Sequence, residues 1–176
     1  MAAGEYGPNK TNVTRLLEAK GISYRVVTYE IDLSDLSAAH AAEKTGLPSE
    51  RVFKTLALRG GKGDIFLCCL PGDAELDLKK AAKAAGEKSV EMLPLKELQA
   101  STGYLRGGCS PIGTKRAYPV FIDETAILYE EISVSAGARG SQVVLAPDDL
   151  VRVLEGRALY ADLINEKLVA TEGSDP

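Results

Sequence analysis

Histidine, cysteine and tryptophan are scarce in this chain: its 176 residues include one histidine, three cysteines and no tryptophan. The single histidine, His40, excludes most metal sites and the usual Ser-His and Cys-His nucleophile pairs. The cysteines Cys68, Cys69 and Cys109 are odd in number, and the first two are adjacent. This spacing fits neither a disulfide framework nor a zinc site. The sequence therefore predicts no metal and no other cofactor.

Long apolar runs and excess positive charge are also missing. The opening MAAGEYGPNK is unlike a signal peptide, and no segment approaches the roughly 18 apolar residues of a transmembrane helix. We therefore expect a cytoplasmic protein with no membrane partner. The net charge of -4 argues against nucleic-acid binding by bulk charge, which leaves only a local basic patch. Lys79, Lys80 and Lys83 form one basic helix face, which is either simply solvated or in contact with phosphate.

The chain nevertheless has enough apolar residues for a core, since 45% of them are hydrophobic. We predict one domain over residues 10–170, with small or polar tails at 1–9 and 171–176. Apolar periodicity and capping residues predict helices at 12–21, 36–46, 76–86, 94–102 and 147–156. Strands are predicted at 23–31, in both arms of a hairpin over 51–71, and at 89–93, 118–123, 131–137 and 141–146. Irregular alternation of these elements predicts an α/β fold with a mixed sheet.

Lys54 is unusual because it lies on an apolar strand face. In VFKTLAL, a period of two places it beside Val52, Leu56 and Leu58. One interpretation is a lysine at a strand edge that reaches water. The other is a lysine that projects into a ligand cavity, where its charge acts strongly.

The stretch GYLRGGCSPIG combines four glycines with a proline. Gly107 and Gly108 lack Cβ atoms, so their amides are open to close approach by a ligand oxygen, as in an oxyanion hole. Ser110 adds a hydroxyl, and Pro111 fixes the end of the loop. A wide structural loop is the alternative interpretation. Cys109 lies within this loop without a nearby base, which favours a lining residue over a nucleophile.

A second segment rich in small residues, SVSAGARGS, joins two predicted strands. Its Ser135, Gly137 and Gly140 are candidates for a second wall of the same site. The alternative is a long hairpin turn.

Four motifs in this order resemble the YbaK/EbsC family: VFKTLAL, LDLKKAAKAAG, STGYLRGGCSPIG and SVSAGARG. Members of this family are free-standing relatives of the editing domain of bacterial prolyl-tRNA synthetases. The resemblance extends from about Thr11 to Ile164. It implies a strongly twisted mixed sheet, partly barrel-like and surrounded by helices, with a cleft. It also implies hydrolysis of Cys-tRNA(Pro) or Cys-tRNA(Cys), with aminoacyl-tRNA as partner and a complex with prolyl-tRNA synthetase as a second expectation.

The resemblance also implies site residues. It makes Lys54 the pocket lysine, Gly107 to Pro111 the Gly-x-x-x-Pro loop, Tyr29 a substrate-contacting tyrosine and Ser135 a pocket serine. We expect catalytic roles for Lys54, Gly107 and Gly108. The expected substrate-binding residues are Tyr29, Thr55, Ser110, Pro111, Ser135 and Gly137. The chain departs from the family after Gly140, where Ser141 and Gln142 stand in place of an acidic residue, so we expect no acid-assisted role there.

The family mechanism, attack of the substrate thiol on its own carbonyl, agrees with the lack of a protein base. Two alternatives stay open from the residues alone. One is a deacylase of the same fold for alanine or another small amino acid. The other is a non-catalytic module that binds aminoacyl-tRNA. A regulator that reads DNA is not expected, because the sequence has no basic recognition helix.

Overall fold

The computed structural model describes residues 10–165, so the predicted tails 1–9 and 171–176 lie outside it, as do residues 166–170 of the predicted domain. The described part contains five α-helices: α1 Asn12–Ala19, α2 Ala38–Thr45, α3 Leu78–Ala85, α4 Leu95–Thr102 and α5 Pro147–Val153. Its strands are β1 Arg25–Thr28, β2 Phe53–Gly60, β3 Ile65–Pro71, β4 Val90–Met92, β5 Val120–Asp123, β6 Ile132–Ser135, β7 Ser141–Leu145 and β8 Ala158–Ala161. The predicted α/β class is confirmed.

The larger sheet is mixed and has the order β4-β2-β3-β5-β8. β2 and β3 form the predicted antiparallel hairpin, whereas β3 pairs with β5, and β5 with β8, in parallel. The central strand β3 is buried on both faces, as its apolar sequence predicts. Leu67 and Cys69 face the main core, while Cys68 and Leu70 pack in the cluster that includes Ala81 of α3.

The smaller sheet is antiparallel, with the order β1-β7-β6. A single parallel bridge between Val52 and Ser133 links the start of β2 to β6. The main core contains Val13 and Leu17 of α1 together with residues of both sheets. The sequence predicts a mixed sheet but not this division of the strands into two sheets.

Local capping signals place the helix ends. The Ser37 hydroxyl accepts the N–H of His40 at the start of α2, and Gly46 closes this helix with φ 72°. Asp77 caps α3 in the same way, and Gly86 ends it with φ 69°. The two glycines lie at the ends of the predicted helices 36–46 and 76–86.

Some predicted elements differ in extent from the observed ones, and some observed elements were not predicted. The strand predicted at 23–31 ends at Thr28, because the chain then leaves the sheet. Strand β8 and the short 3₁₀ helices Ser49–Arg51 and Glu124–Leu128 were not predicted. β8 is stabilised by parallel pairing with β5, a tertiary contact that the four-residue sequence does not signal. Within residues 10–165, no helix is both long enough and apolar enough to cross a membrane.

Candidate active site

A cavity of about 590 Å³ lies between the start of β2, the segment after β1, the glycine loop and the two strands β6 and β7. Three of its lining side chains are charged: Asp35, Lys54 and Arg106. The polar lining side chains include Tyr29, Ser34, Ser37, Thr55, Ser135 and Gln142. Apolar side chains form much of the remaining wall: Leu36, Val52, Phe53, Leu56, Met92, Leu93, Leu95 and Leu98. A largely apolar pocket with a few polar groups is typical of a ligand site.

Lys54 is held at the wall of this cavity by two backbone carbonyls. Its Nζ donates to the carbonyl oxygen of Ala74 at 2.6 Å and to that of Gly72 at 3.3 Å. Partial burial lowers the pKa of Lys54, while Asp73 and Glu75 raise it. The side chain therefore lines the cavity in a fixed position, as in the second of the two interpretations. Its catalytic role stays a prediction.

Thr55 is the next residue of β2 and also lines the cavity. Its hydroxyl lies 3.5 Å from the Cys69 sulfur, the residue opposite it in the β2–β3 register. Lys54 and Thr55 both line the cavity, although as successive strand residues their side chains leave β2 on opposite faces.

Gly107 and Gly108 have different surroundings. Gly107 lines the cavity with φ 85°, and a Cβ there would lie 3.0 Å from the Cβ of Leu36. Its N–H makes no hydrogen bond to the described residues. The Gly108 N–H instead donates to the carbonyl of Leu105 at 2.9 Å. Of the two predicted donors, only the Gly107 amide is therefore unpaired, and the catalytic roles of both glycines stay predictions.

Gly108 has a structural reason to be glycine. A Cβ at this position would lie 3.1 Å from the backbone nitrogen of Arg139 and 3.3 Å from the carbonyl carbon of Ala138. The glycine loop and the 136–140 turn approach each other closely here. This contact joins the two segments that the sequence predicts to line the site.

Three expected substrate-binding residues, Ser110, Pro111 and Gly137, do not line the cavity. The fully buried Ser110 hydroxyl accepts the N–H of Ile112 at 3.2 Å. Gly137 packs against Tyr104 and donates its N–H to Ser135 Oγ at 3.1 Å. These three residues shape the loops, and their expected contact with substrate stays a prediction.

Tyr29 and Ser135 do line the cavity, as expected. The Tyr29 ring packs edge-on against His40, with 6.3 Å between the ring centroids. His40 itself is buried, and its Nε2 makes no hydrogen bond within the described part of the chain. Gln142 faces the same cavity, and its Oε1 accepts the Ser133 hydroxyl at 3.2 Å. A neutral amide thus lines this wall of the cavity.

Cys109 lines the cavity as a protonated thiol. Burial raises its pKa to about 11, an effect that a hydrogen bond with Thr102 partly opposes. A thiol with this pKa is a poor nucleophile at neutral pH. Residues 10–165 also contain no cluster of three or more histidine, cysteine, aspartate or glutamate side chains that could hold a metal ion.

Sequence reasoning missed Asp35 and Arg106 as lining residues, together with most of the apolar wall. Arg106 directly precedes the predicted site glycines Gly107 and Gly108, so its position in the sequence could have marked it as a candidate. Asp35 gave none: it precedes the capping residue Ser37 in a segment without a predicted element.

Comparison with known proteins adds to this geometry. The model of the aminoacyl-tRNA editing domain matches residues 36–153. The chain belongs to this family. The predicted family relationship is thereby confirmed.

The relatives include one protein that the match covers almost completely and much longer proteins of which it covers a small part. The chain is 46% identical over 148 residues to a protein of Enterococcus faecalis that is named as a Cys-tRNA(Pro)/Cys-tRNA(Cys) deacylase. The matched region covers 84% of this chain and 90% of the relative. It is 33% identical over 99 residues to a proline–tRNA ligase of Ralstonia pickettii, of which it covers 17%. A crystal structure described as a trans-editing enzyme for prolyl-tRNA synthetase superposes with a TM-score of 0.76 at 28% identity, covering 92% of this chain and 99% of that one.

Proposed function

We propose that this editing domain is an aminoacyl-tRNA deacylase that removes cysteine from Cys-tRNA(Pro), with Cys-tRNA(Cys) as a second substrate. The observation that carries the proposal is a cavity with an anchored lysine and an unpaired backbone amide, but with Cys109 as a protonated thiol. Such a site orients and polarises an ester without supplying a strong nucleophile. The Enterococcus faecalis relative, 46% identical across 90% of its length, supports the substrate class.

The nucleophile in this proposal is the thiol of the substrate cysteine. Its sulfur attacks the ester carbonyl carbon of the same residue, so a carbon–sulfur bond forms as the bond to the ribose oxygen breaks. The thiol proton passes to the departing ribose oxygen, which remains on the tRNA as a hydroxyl. The products are uncharged tRNA and a cyclic thiolactone, which water then opens to cysteine. The reaction is intramolecular, so the effective concentration of the thiol is high.

The protein contributes position and polarity. Lys54 stays in place through the carbonyls of Gly72 and Ala74, and its charge orients the ribose or phosphate of the tRNA terminus. The Gly107 N–H stabilises the negative charge that develops on the carbonyl oxygen. Tyr29, Thr55 and Ser135 bind the aminoacyl group along the wall.

Editing of this substrate has a physical reason. Cysteine and proline have similar sizes, and one or two heavy atoms give a synthetase pocket only weak discrimination. A second site that tests for a thiol removes the wrong product by its chemistry. The acidic chain is expected to bind tRNA weakly, so we propose that it acts in the cytoplasm in a complex with prolyl-tRNA synthetase.

The decisive experiment is a deacylation panel with Cys-, Ala-, Ser- and Pro-tRNA(Pro), with and without prolyl-tRNA synthetase. We expect rapid hydrolysis of Cys-tRNA(Pro) and slow or no hydrolysis of the other three. A preference for Ala-tRNA(Pro) would favour the alternative deacylase. Binding of Cys-tRNA(Pro) without any turnover would favour the non-catalytic module.

A further inference from the structure

The charges around the cavity are distributed unequally. Its lining includes two cationic side chains, Lys54 and Arg106, and the described residues contribute only one carboxylate to it, that of Asp35. The wall formed by Ser135 and Gln142 is neutral. A further cation that enters this cavity is repelled by two of the charged groups and attracted by one.

The substrate of the proposed reaction carries such a cation. An amino acid attached to tRNA through its carboxyl group keeps a free α-amino group. The pKa of an α-amino group is about 7.7–8.0, so this group is largely protonated at neutral pH. The ammonium is bonded to the carbon next to the ester carbonyl, so it enters the cavity with the reacting group.

We propose that Asp35 binds the α-ammonium of the aminoacyl group and thereby selects substrates with a free amine. The proposal rests on the proposed function and assigns the amine to the side of the cavity formed by the segment between β1 and α2.

The local geometry of Asp35 is suited to this role. Its Oδ1 accepts the N–H of Ser37 at 3.1 Å, which fixes the carboxylate beside the start of α2. Hydrogen bonds from Ser37 lower the pKa of Asp35, so the group is ionised at neutral pH. Its Oδ2 lies 3.8 Å from His40 Nδ1, beyond hydrogen-bond distance. The side chain is about half exposed (51%), so a ligand has access to it.

Asp32 provides a matched control on the same segment. Hydrogen bonds from Ser34 lower the pKa of Asp32 as well, so both carboxylates are ionised. Asp32 accepts the Ser34 N–H at 2.9 Å, much as Asp35 accepts that of Ser37, but it does not line the cavity. Asparagine at either position keeps the accepting oxygen and removes the charge.

The test compares Asp35→Asn and Asp32→Asn with the unaltered protein on Cys-tRNA(Pro) and on N-acetyl-Cys-tRNA(Pro), which lacks the cation. We expect Asp35→Asn to lower kcat/KM for the free-amine substrate by about tenfold to a hundredfold, the range for a hydrogen bond to a charged group, and to leave the acetylated substrate unchanged. Asp32→Asn should change neither. An equal loss on both substrates, no loss, or the same selective loss in Asp32→Asn would overturn the proposal.

A binding measurement separates this inference from the proposed reaction. The probe is adenosine whose 3′-oxygen is replaced by nitrogen and carries cysteine through an amide, which the reaction cannot cleave readily. We expect the unaltered protein to bind this probe more tightly than its N-acetyl form, and Asp35→Asn to abolish the difference. An Asp35-dependent difference without turnover overturns the reaction alone. Failure of the unaltered protein to prefer the free amine overturns the role of Asp35.

Discussion

The ammonium of Lys54 lies 2.6 Å from the carbonyl oxygen of Ala74, in the segment between β3 and α3. A strand lysine that donates to this segment cannot swing freely into solvent. Its charge therefore stays at the cavity wall, where partial burial lowers the pKa of the amine. The hydrogen-bond partners of the amine are backbone carbonyls rather than carboxylates.

Replacement of Lys54 by methionine should remove most of the deacylase activity and leave the fold intact. Methionine keeps an unbranched side chain of similar length but loses the charged donor. A hydrogen bond to a charged group contributes about 1.5–3 kcal/mol, so we expect kcat/KM for Cys-tRNA(Pro) to fall by at least about tenfold. Circular dichroism and urea unfolding check the fold.

Lys62→Met is the control, because Lys62 is an exposed lysine of the turn between β2 and β3 that does not line the cavity. It should retain full activity. If folded Lys54→Met turns over substrate at the unaltered rate, Lys54 has no part in catalysis.

Gly108→Ala should destabilise the protein because the two loops leave no room for a methyl group. The new Cβ would lie 3.1 Å from the Arg139 nitrogen, and backbone atoms yield less easily than a flexible side chain. Overpacking of this kind costs about 1–3 kcal/mol in the free energy of unfolding, measured by urea denaturation.

Gly61→Ala serves as the comparison for this substitution. A Cβ at Gly61 would meet only Ser89, at an ordinary distance of 3.6 Å, and its φ is not positive. This variant should lose little stability. Equal stability of the two variants would mean that the loops can separate without cost.

The sequence predicts features that depend on local signals. The C-terminal ends of α2 and α3 are predictable because each helical pattern is followed by a glycine, Gly46 or Gly86. Lys54 is visible because a charge interrupts an apolar strand face. Asp35 and Gly108 are different: the position of Asp35 depends on how the segment after β1 folds over the cavity, and the packing of Gly108 depends on a turn about thirty residues away in the sequence.

Cys109→Ala should retain activity within about threefold, because a protonated thiol is not the nucleophile. Burial raises the pKa of Cys109 to about 11, and no described histidine contacts it. Steady-state deacylation of Cys-tRNA(Pro) measures the effect. Acid quench followed by mass spectrometry should find no acyl group on the protein, and a thioester trapped on Cys109 would contradict this assignment.

The protein should lose stability as the pH rises from about 9 to 11. Folding raises the pKa of Cys109 from 9.0 to about 11 and that of Cys69 from 9.0 to about 12, mainly through burial. In this range the unfolded chain has released thiol protons that the folded chain still holds, so alkaline pH favours unfolding. Each thiol contributes up to about 1.4 kcal/mol per pH unit.

Urea unfolding under reducing conditions at several pH values between 8 and 11 measures this slope. Cys109→Ala lacks one of the thiols, so its free energy of unfolding should fall less steeply with pH. Lysine ionisation is common to both proteins, whereas Cys109 adds to the effect of burial in raising the pKa of Tyr104, so its removal reduces the slope in the same direction. Identical slopes would show that the Cys109 thiol ionises equally in the folded and unfolded chain.

The substrate thiol should be required for fast turnover. A cysteine thiol has a pKa of about 8.5, so a few per cent is thiolate near neutral pH, and it is tethered to the carbonyl that it attacks. The hydroxyl of serine is a much weaker nucleophile, and alanine has none. We therefore expect Cys-tRNA(Pro) to be cleaved at least about a hundredfold faster than Ser- or Ala-tRNA(Pro), because intramolecular attack has a high effective molarity.

Two further measurements identify the attacking atom. S-methylation of the cysteine on the tRNA keeps the ester and the α-amino group but removes the nucleophile, so turnover should fall to the level of the alanine substrate. Rapid quench and mass spectrometry in water enriched in oxygen-18 should first detect the thiolactone without the label, and labelled cysteine only later. If labelled cysteine appears from the first turnover, and S-methylation leaves the rate unchanged, a bound water is the nucleophile and specificity must come from the shape of the cavity.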